Sequence, residues 1–253
     1  MSLSGLLDAW LSPAPDPARV AFLKAKPFAH RGLHGAGLIE NSRAAFRAAL
    51  DAGHGIECDV QAAWDGEAFV FHDADLDRLT GEKGPLGKRP ASLLDAVRLA
   101  GSDETLPRLT ELLSLVAGRA ALLIEVKTGN RRVDPLCRSV RRALEGYLGP
   151  VAVMSFNPEV GRWFRTQAPR IVRGLVITEE GGRGLRGRFS RHAALWRARP
   201  DFLAYDVRDF PSAFAAAQRA RGLPVLTWTV RSAEAERTAF AHADEMIYER
   251  VAA

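Results

Sequence analysis

Residues 55–73 read GIECDVQAAWDGEAFVFHD and hold two strand-like runs separated by only five residues. The runs GIECDVQ (55–61) and EAFVFHD (67–73) are rich in β-branched, aromatic and other apolar residues, which is typical of strands. The intervening AAWDG is too short for the helical crossover that joins two parallel strands. We therefore expect either a hairpin or a chain that doubles back in extended form to start a parallel strand.

Both geometries have the same consequence for the polar residues of this stretch. A two-residue hairpin turn at Asp65-Gly66 would place Asp59 opposite His72. Glu57 lies two residues from Asp59, on the same face of the strand. A chain that doubles back would also bring the two strand ends together. Glu57, Asp59 and His72 are therefore expected to converge in either case.

On both sides of this stretch, short aliphatic runs alternate with longer amphipathic ones, which indicates strands alternating with helices around a parallel sheet. Strands are predicted over 27–31, 55–61, 67–73, 121–127, 150–156, 171–177, 202–207 and 224–230. Helices are predicted over 41–52, 91–100, 108–117, 133–147, 157–167, 210–221 and 232–241. This pattern predicts an α/β fold, a distorted TIM (β/α)₈ barrel whose second and third strands lack the usual crossover helix.

The chain has 253 residues and 47% hydrophobic content, which suits a single domain over 1–253. Residues 74–107, rich in glycine and charge, are predicted to form a short rim insertion with one helix. The end, ADEMIYERVAA, is expected to close the last helix against the barrel as a short strand or turn. The opening LLDAWL (6–11) suits a short helix packed across the barrel floor, with a lipid surface or partner subunit as alternatives. The roles of the first 25 residues and of loop 178–200 stay open.

Composition limits the classes of function. No apolar run is long enough to cross a membrane and the opening lacks the features of a secretory signal, so we expect a cytoplasmic protein. Two separated cysteines, Cys58 and Cys137, indicate neither a disulfide framework nor a zinc site. The net charge of +5 accompanies no nucleic-acid-binding motif, so no nucleic-acid partner is expected. The oligomeric state stays open.

Polar residues lie at the predicted carboxyl ends of several strands. In a parallel barrel such side chains converge on one rim, whereas within the strands they would be costly to bury. They are His30 and Arg31 on the first strand, Glu57 and Asp59 on the second, His72 on the third, Glu125 and Lys127 on the fourth, and Trp228 on the eighth.

The acidic residues of this set indicate a metal site. Glu57 and Asp59 share one strand face, and Glu125 can join them from the fourth strand. Three close carboxylates repel one another unless a positive charge lies between them. Mg²⁺ or Ca²⁺ would suit, because both prefer oxygen ligands. Ordinary ion pairs with Lys127 or Arg31 are the alternative.

The histidines and the arginine indicate phosphate chemistry. His30 and His72 could flank a substrate as general acid and general base, because imidazole titrates close to neutral pH. The guanidinium of Arg31 matches the geometry of phosphate oxygens. With a divalent cation on another oxygen, this set suits displacement at phosphorus.

An ordered series of motifs resembles the glycerophosphodiester phosphodiesterases, a family within the phosphatidylinositol-phospholipase-C-like phosphodiesterase superfamily. The resemblance covers about residues 27–245, and the segments LPRLTELL and VMSFNP also match. The matching motifs are His30-Arg31-Gly32 with Glu40-Asn41, Glu57-Cys58-Asp59, Phe71-His72-Asp73 with LDRLTG, Ile124 to Lys127, and Trp228 to Val230.

The resemblance implies a distorted (β/α)₈ barrel and a role for each matched residue. His30 and His72 would perform acid-base catalysis, and the metal would be Mg²⁺ or Ca²⁺. The other implied roles are metal binding by Glu57, Asp59 and Glu125, phosphate contact by Arg31 and Lys127, support of the site by Glu40 and Asn41, and packing of Trp228 on the glycerol.

The resemblance also implies a reaction on a small-molecule glycerophosphodiester such as glycerophosphocholine or glycerophosphoethanolamine. The glycerol 2-hydroxyl would attack phosphorus to give a cyclic phosphate, which water then opens. The products would be glycerol 3-phosphate and an alcohol. Lysophospholipase D-type cleavage, or hydrolysis of another phosphodiester on the same site, is an alternative. A non-catalytic barrel that binds phosphate is an alternative of another class.

Overall fold

The computed structural model describes residues 3–35, 37–129 and 132–250. The α-helices are α1 Leu3–Leu11, α2 Pro17–Val20, α3 Arg43–Asp51, α4 Ala91–Leu94, α5 Leu109–Val116, α6 Asp134–Ala143, α7 Pro158–Gln167, α8 Leu185–Ala198, α9 Ala213–Ala220 and α10 Ala233–His242. The strands are β1 Phe28–Ala29, β2 Gly55–Ala62, β3 Ala68–Val70, β4 Leu122–Val126, β5 Val151–Ser155, β6 Val172–Ile177, β7 Phe202–Asp206, β8 Val225–Val230 and β9 Glu245–Tyr248. Short 3₁₀ turns cover Ala21–Lys24, Leu86–Lys88 and Val207–Asp209.

The described chain divides into two compact units, one formed by Phe28–Val151 and the other by the residues before and after it. The prediction of one domain over 1–253 stays a prediction. In the unit Phe28–Val151, β2 pairs in parallel with β1 and β4 and antiparallel with β3. The buried residues of β2 and β4 include both aliphatic and acidic side chains.

The connection between β2 and β3 is an antiparallel hairpin with a loop of residues 64–66. Gly66 adopts a φ of +88°, a left-handed conformation that glycine reaches without strain. The three-residue loop shifts the register by one, so the Phe71 amide donates to the Asp59 carbonyl at 3.0 Å. The two-residue turn, which placed Asp59 opposite His72, was therefore wrong.

Every predicted strand is present within the predicted bounds or within one residue of them. However, β3 is an antiparallel addition to the sheet. The eighth parallel strand is β9, within the segment predicted only as a short strand or turn, and it pairs in parallel with β8. When β9 is counted in place of β3, the chain has eight parallel strands separated by helices. This confirms the TIM (β/α)₈ barrel as the fold class.

In the other unit, strands β5 to β9 are parallel neighbours in chain order. The helices α7 to α10 follow β5 to β8 in turn. Leu175, Leu195, Leu203, Tyr205 and Leu223 belong to a buried cluster formed by these strands and helices. The segment 178–200, for which no role was predicted, consists largely of α8.

Helix α1 packs on other helices through a buried carboxylate. Asp8 is 1% exposed, and its oxygens lie 2.8 Å from His192 Nδ1 and accept hydrogen bonds from Trp196 Nε1 (2.8 Å) and Gln218 Nε2 (2.7 Å). These partners belong to α8 and α9. The predicted placement across the barrel floor was wrong, because hydrogen bonds to Asp8 hold α1 against the outer helices.

The segment 74–107, predicted as a rim insertion, packs with Phe69 and Phe71 in an apolar cluster. Its residues in this cluster include Leu76, Leu86, Leu94 and Leu106. The helix predicted over 91–100 is shorter than expected, because α4 ends at Leu94. Cys58 and Cys137 are both buried free thiols. Among the described residues, no helix combines the length and apolar composition needed to cross a bilayer.

Candidate active site

The turn that follows β1 carries His30 and Arg31, and its position depends on Gly32. Gly32 has a φ of +77°, and a Cβ there would lie 2.9 Å from the carbonyl carbon of Ala45 and from the ring of Phe46. Only glycine therefore lets this turn lie so close to α3. Arg31 is also left-handed, with a φ of 55°.

Asn41 connects this turn to β2. Its backbone amide donates to the Arg31 carbonyl at 2.8 Å, and its side-chain amide donates to Asp59 Oδ2 at 3.1 Å. The next residue, Ser42, caps α3 by accepting the Ala45 amide at 3.1 Å. The start of α3 thus fixes Asn41 between the two strands.

The predicted acidic cluster is present. The parallel register of β2 and β4 pairs Asp59 with Glu125, and Glu57 lies two residues earlier on β2. One oxygen from each of the three carboxylates lies within 4.8 Å of the others, and all three residues are buried. The structure therefore gathers Glu57, Asp59 and Glu125 as the strand alternation predicted.

Two cations contact this cluster, so part of the ion-pair alternative is also present. Lys127 Nζ lies 3.0 Å from Asp59 Oδ1 and 2.8 Å from Glu125 Oε1. Arg31 Nε lies 3.1 Å from Asp59 Oδ2. Glu57 receives less: Oε2 accepts the Arg31 backbone amide at 3.0 Å, and His30 Nε2 lies 3.9 Å away. Its buried Oε1 accepts no hydrogen bond from any residue that the structure describes.

The pKa values of the three acids show an excess of negative charge. Burial, together with the charges of Asp59 and Glu125, raises the pKa of Glu57 well above its ordinary value. Burial raises the pKa of Glu125 to about 7, although Lys127 opposes the rise. Burial also acts on Asp59, but Lys127 and Arg31 outweigh it and lower the pKa. A further cation would stabilise the ionised forms of Glu57 and Glu125.

These donors fit a hard divalent cation. All three are carboxylates, and the unpaired Glu57 Oε1 is the kind of buried acceptor that a bound cation satisfies. Mg²⁺ and Ca²⁺ both take oxygen ligands. The geometry does not favour one of the two ions.

His72 follows β3 and is held by its neighbour. Its Nδ1 lies 2.7 Å from Asp73 Oδ1, and Arg78 Nε donates to Asp73 Oδ2 at 2.5 Å. The Arg78 guanidinium holds the pKa of Asp73 at about 2. Burial, with the nearby charges of Lys127 and Arg31, lowers the pKa of His72, although Asp59 opposes this. The His72 imidazolium therefore loses its proton more readily than a solvent-exposed one.

Arg78 links the two histidine-bearing segments. It donates to both oxygens of Glu40, at 3.0 and 2.7 Å, and Arg31 Nη1 donates to Glu40 Oε1 at 2.8 Å. A continuous polar chain thus runs from His72 through Asp73, Arg78 and Glu40 to Arg31. Asp73 and Arg78 lie in the matched motif FHD with LDRLTG, but no role was predicted for either.

Nine of the ten predicted site residues lie in the unit Phe28–Val151. They are His30, Arg31, Glu40, Asn41, Glu57, Asp59, His72, Glu125 and Lys127. Trp228 belongs to the other unit, on β8, where Nε1 donates to the Ala204 carbonyl at 3.0 Å and the ring lies edge-on to Phe156. Its contact with glycerol stays a prediction.

Comparison with known proteins identifies similar sequences. The sequence model of the glycerophosphoryl diester phosphodiesterase family matches residues 30–252. A glycerophosphodiester phosphodiesterase of Caldanaerobacter subterraneus subsp. tengcongensis is 31% identical over 166 residues, which are 61% of this chain and 67% of that protein. One from Bacillus altitudinis is 38% identical over 113 residues, which are 42% of this chain and 45% of that protein.

Solved structures share the fold. A phosphodiesterase of Oleispira antarctica, in complex with the product sn-glycerol-3-phosphate, aligns with a TM-score of 0.77 at 21% identity, over 88% of this chain and 91% of that one. A glycerophosphodiester phosphodiesterase of Agrobacterium tumefaciens aligns with a TM-score of 0.65 at 25% identity, over 89% of this chain and 95% of that one.

Proposed function

Since the chain belongs to the glycerophosphoryl diester phosphodiesterase family and is a glycerophosphodiester phosphodiesterase, we propose a metal-dependent hydrolysis in which two histidines transfer the protons. One observation carries the metal dependence: three buried carboxylates meet within 4.8 Å, and Glu57 Oε1 has no hydrogen-bond donor among the described residues. The products are glycerol 3-phosphate and an alcohol.

The proposed substrates are small glycerophosphodiesters such as glycerophosphocholine and glycerophosphoethanolamine. The sn-glycerol-3-phosphate bound to the Oleispira antarctica phosphodiesterase supports glycerol 3-phosphate as the product. We place the phosphate against Arg31 and Lys127, because both are partly exposed and both already contact Asp59. Trp228 is proposed to pack on the glycerol.

Glu57, Asp59 and Glu125 are the residues that would hold Mg²⁺ or Ca²⁺. A bound ion of this kind supplies positive charge to a phosphate oxygen. Lys127 contacts Asp59 and Glu125 at 3.0 and 2.8 Å and can also turn towards a phosphate, because its side chain is 23% exposed. Glu40 and Asn41 keep Arg31 and Asp59 in position through the hydrogen bonds described above.

His30 and His72 are proposed to move the protons. One takes the proton of the glycerol 2-hydroxyl as its oxygen forms a bond to phosphorus, and the other protonates the departing alcohol oxygen as its bond to phosphorus breaks. Water then opens the cyclic phosphate with the two roles reversed. Asp73 contacts Nδ1 of His72 and leaves Nε2 as the nitrogen for proton transfer. The attacking hydroxyl belongs to the substrate, so positioning supplies much of the acceleration.

The test is release of glycerol 3-phosphate from glycerophosphocholine in the presence of Mg²⁺ or Ca²⁺. We expect His30→Ala and His72→Ala to abolish release, and a chelator to abolish it in the unchanged protein. His54→Ala is the matched control, since His54 lies in the same unit but outside the site. Full activity in His30→Ala would refute its catalytic role.

A further inference from the structure

Helix α1 presents its apolar residues to solvent. Leu6 is 54% exposed and Trp10, one turn later, is 77% exposed, with Leu7 also exposed between them. The residue on the opposite face is Asp8, which is 1% exposed. An amphipathic helix of a globular protein usually has the reverse arrangement. The outward apolar side of α1 therefore needs an explanation outside the unit's own core.

The first turns of α8 also expose apolar residues. Leu185 is 81% exposed and Phe189, one turn later, is 67% exposed. The Phe189 ring lies edge-on to Trp196 at 6.3 Å between centroids, and Trp196 donates to Asp8 of α1. The two helices that carry these exposed apolar residues therefore pack on each other. We call the exposed apolar residues the α1–α8 face, which consists of Leu6, Leu7, Trp10, Leu185 and Phe189.

The surroundings of the α1–α8 face are basic. Residues 181–200 contain six arginines and no aspartate or glutamate, and three of these arginines, Arg183, Arg191 and Arg197, form ion pairs with acids outside the segment. Arg183, Arg186 and Arg188 are exposed at the start of α8. Arg183 and Arg188 also line a cavity of about 430 Å³ between α1 and α8. The face therefore combines exposed aliphatic and aromatic side chains with a positive border.

We propose that the α1–α8 face docks on a membrane surface that contains anionic phospholipids. Apolar side chains of this kind enter the boundary between headgroups and acyl chains, where tryptophan is favoured, and the arginines are attracted by the lipid phosphates. A second copy of the chain is a poorer occupant, because a twofold contact would bring the exposed Arg186 and Arg188 of the two copies together. The proposal is independent of the proposed substrate.

The test is flotation of the full chain with phospholipid vesicles. We expect binding to vesicles of phosphatidylcholine with phosphatidylglycerol, weak binding to phosphatidylcholine alone, and loss of binding as salt is raised. Leu6→Gln with Trp10→Gln should weaken binding at least about tenfold. Replacing Arg183, Arg186 and Arg188 by glutamine should weaken it by roughly a factor of five per arginine.

Matched controls distinguish vesicle binding through the α1–α8 face from non-specific binding by exposed apolar residues. Leu148 and Phe240 are 99% and 70% exposed apolar residues outside the face, and replacing both by glutamine should leave vesicle binding unchanged. Hydrolysis of glycerophosphocholine in free solution should be unchanged by Leu6→Gln with Trp10→Gln, which also reports that the variant folds. Absence of binding at low salt would overturn the proposal. So would equal losses in the controls, or a dimer that the Leu6 and Trp10 changes dissociate in sedimentation velocity.

Discussion

Asp73→Asn tests whether a neighbouring carboxylate tunes the His72 imidazole. His72 Nδ1 lies 2.7 Å from Asp73 Oδ1. A hydrogen bond between charged groups contributes about 1.5–3 kcal/mol. The two side chains are 31% and 24% exposed, so solvent screening reduces this to about 1 kcal/mol. Asparagine stabilises the imidazolium less, and the pKa of His72 should therefore fall by about 0.7.

The assay is the pH dependence of kcat/KM for glycerophosphocholine. A bell-shaped profile reports the acid and base of the free enzyme. We expect one limb to move to lower pH by about 0.7 in Asp73→Asn while the other limb stays in place. Asp95→Asn is the matched control, because Asp95 accepts a similar two-point contact from Arg108, at 2.7 and 2.6 Å, outside the site. Unmoved limbs in Asp73→Asn, or an equal shift in the control, would refute the reasoning.

Three further outcomes follow from the structure. Gly32→Ala should lower the free energy of unfolding by about 1–3 kcal/mol, because φ is +77° and the new Cβ would lie 2.9 Å from Ala45; urea unfolding measures this, and an unchanged midpoint would count against the close packing. Lys127→Met should destabilise the metal-free protein by about 3 kcal/mol, because it removes a cation from two buried carboxylates. Added Mg²⁺ or Ca²⁺ should recover part of the lost melting temperature. A melting temperature that does not respond to the ion would contradict the charge argument. Asp73 has its pKa lowered from 3.8 to about 2, so its contribution to stability is present above its unfolded pKa and is lost as pH falls through about 2; urea unfolding at a series of acidic pH values should show a weaker pH dependence in Asp73→Asn than in the unchanged protein.

The order of strands and helices could be predicted, because aliphatic runs with β-branched residues mark strands wherever they are buried on both faces. The identity of the eighth barrel strand could not. EAFVFHD has the stronger strand composition, yet it forms β3 of the hairpin, while the short EMIY forms β9 beside β8. Parallel pairing depends on tertiary contacts that composition does not encode.

The register of the β2–β3 hairpin could not be predicted from composition either. Asp65-Gly66 suits a two-residue turn, but Gly66 closes a loop of residues 64–66 instead. The resulting shift places Phe71 opposite Asp59. The charge of Asp59 nevertheless acts on His72, whose pKa it raises, although His72 lies beyond the end of β3.

Most candidate site residues could be predicted because their chemistry is unusual for their place in the chain. Buried carboxylates on strands, such as Glu57 and Asp59, are costly without a partner, so their presence indicates a site. The roles of Asp73 and Arg78 could not be predicted, because aspartate and arginine are common in loops. Their roles depend on Glu40, which is far away in sequence and adjacent only in the fold.

The orientation of α1 could not be predicted for a related reason. Its leucines and tryptophan have the spacing of a core-facing stripe, which favours burial. Asp8 reverses the orientation, because His192, Trp196 and Gln218 supply it with three polar contacts. A single buried carboxylate with donors from two other helices outweighs the apolar pattern.

Calorimetric titration of chelator-treated protein with Mg²⁺ and with Ca²⁺ tests the central claim most directly, with Glu57→Gln as the comparison. Glu57 supplies a buried oxygen that has neither a hydrogen-bond donor nor an ion-pair partner among the described residues, so its loss should weaken cation binding. We expect one divalent cation to bind per chain in the unchanged protein, and both binding and glycerol 3-phosphate release to be lost in Glu57→Gln. Equal cation affinity in the two proteins, or full hydrolysis without any bound cation, would contradict the account.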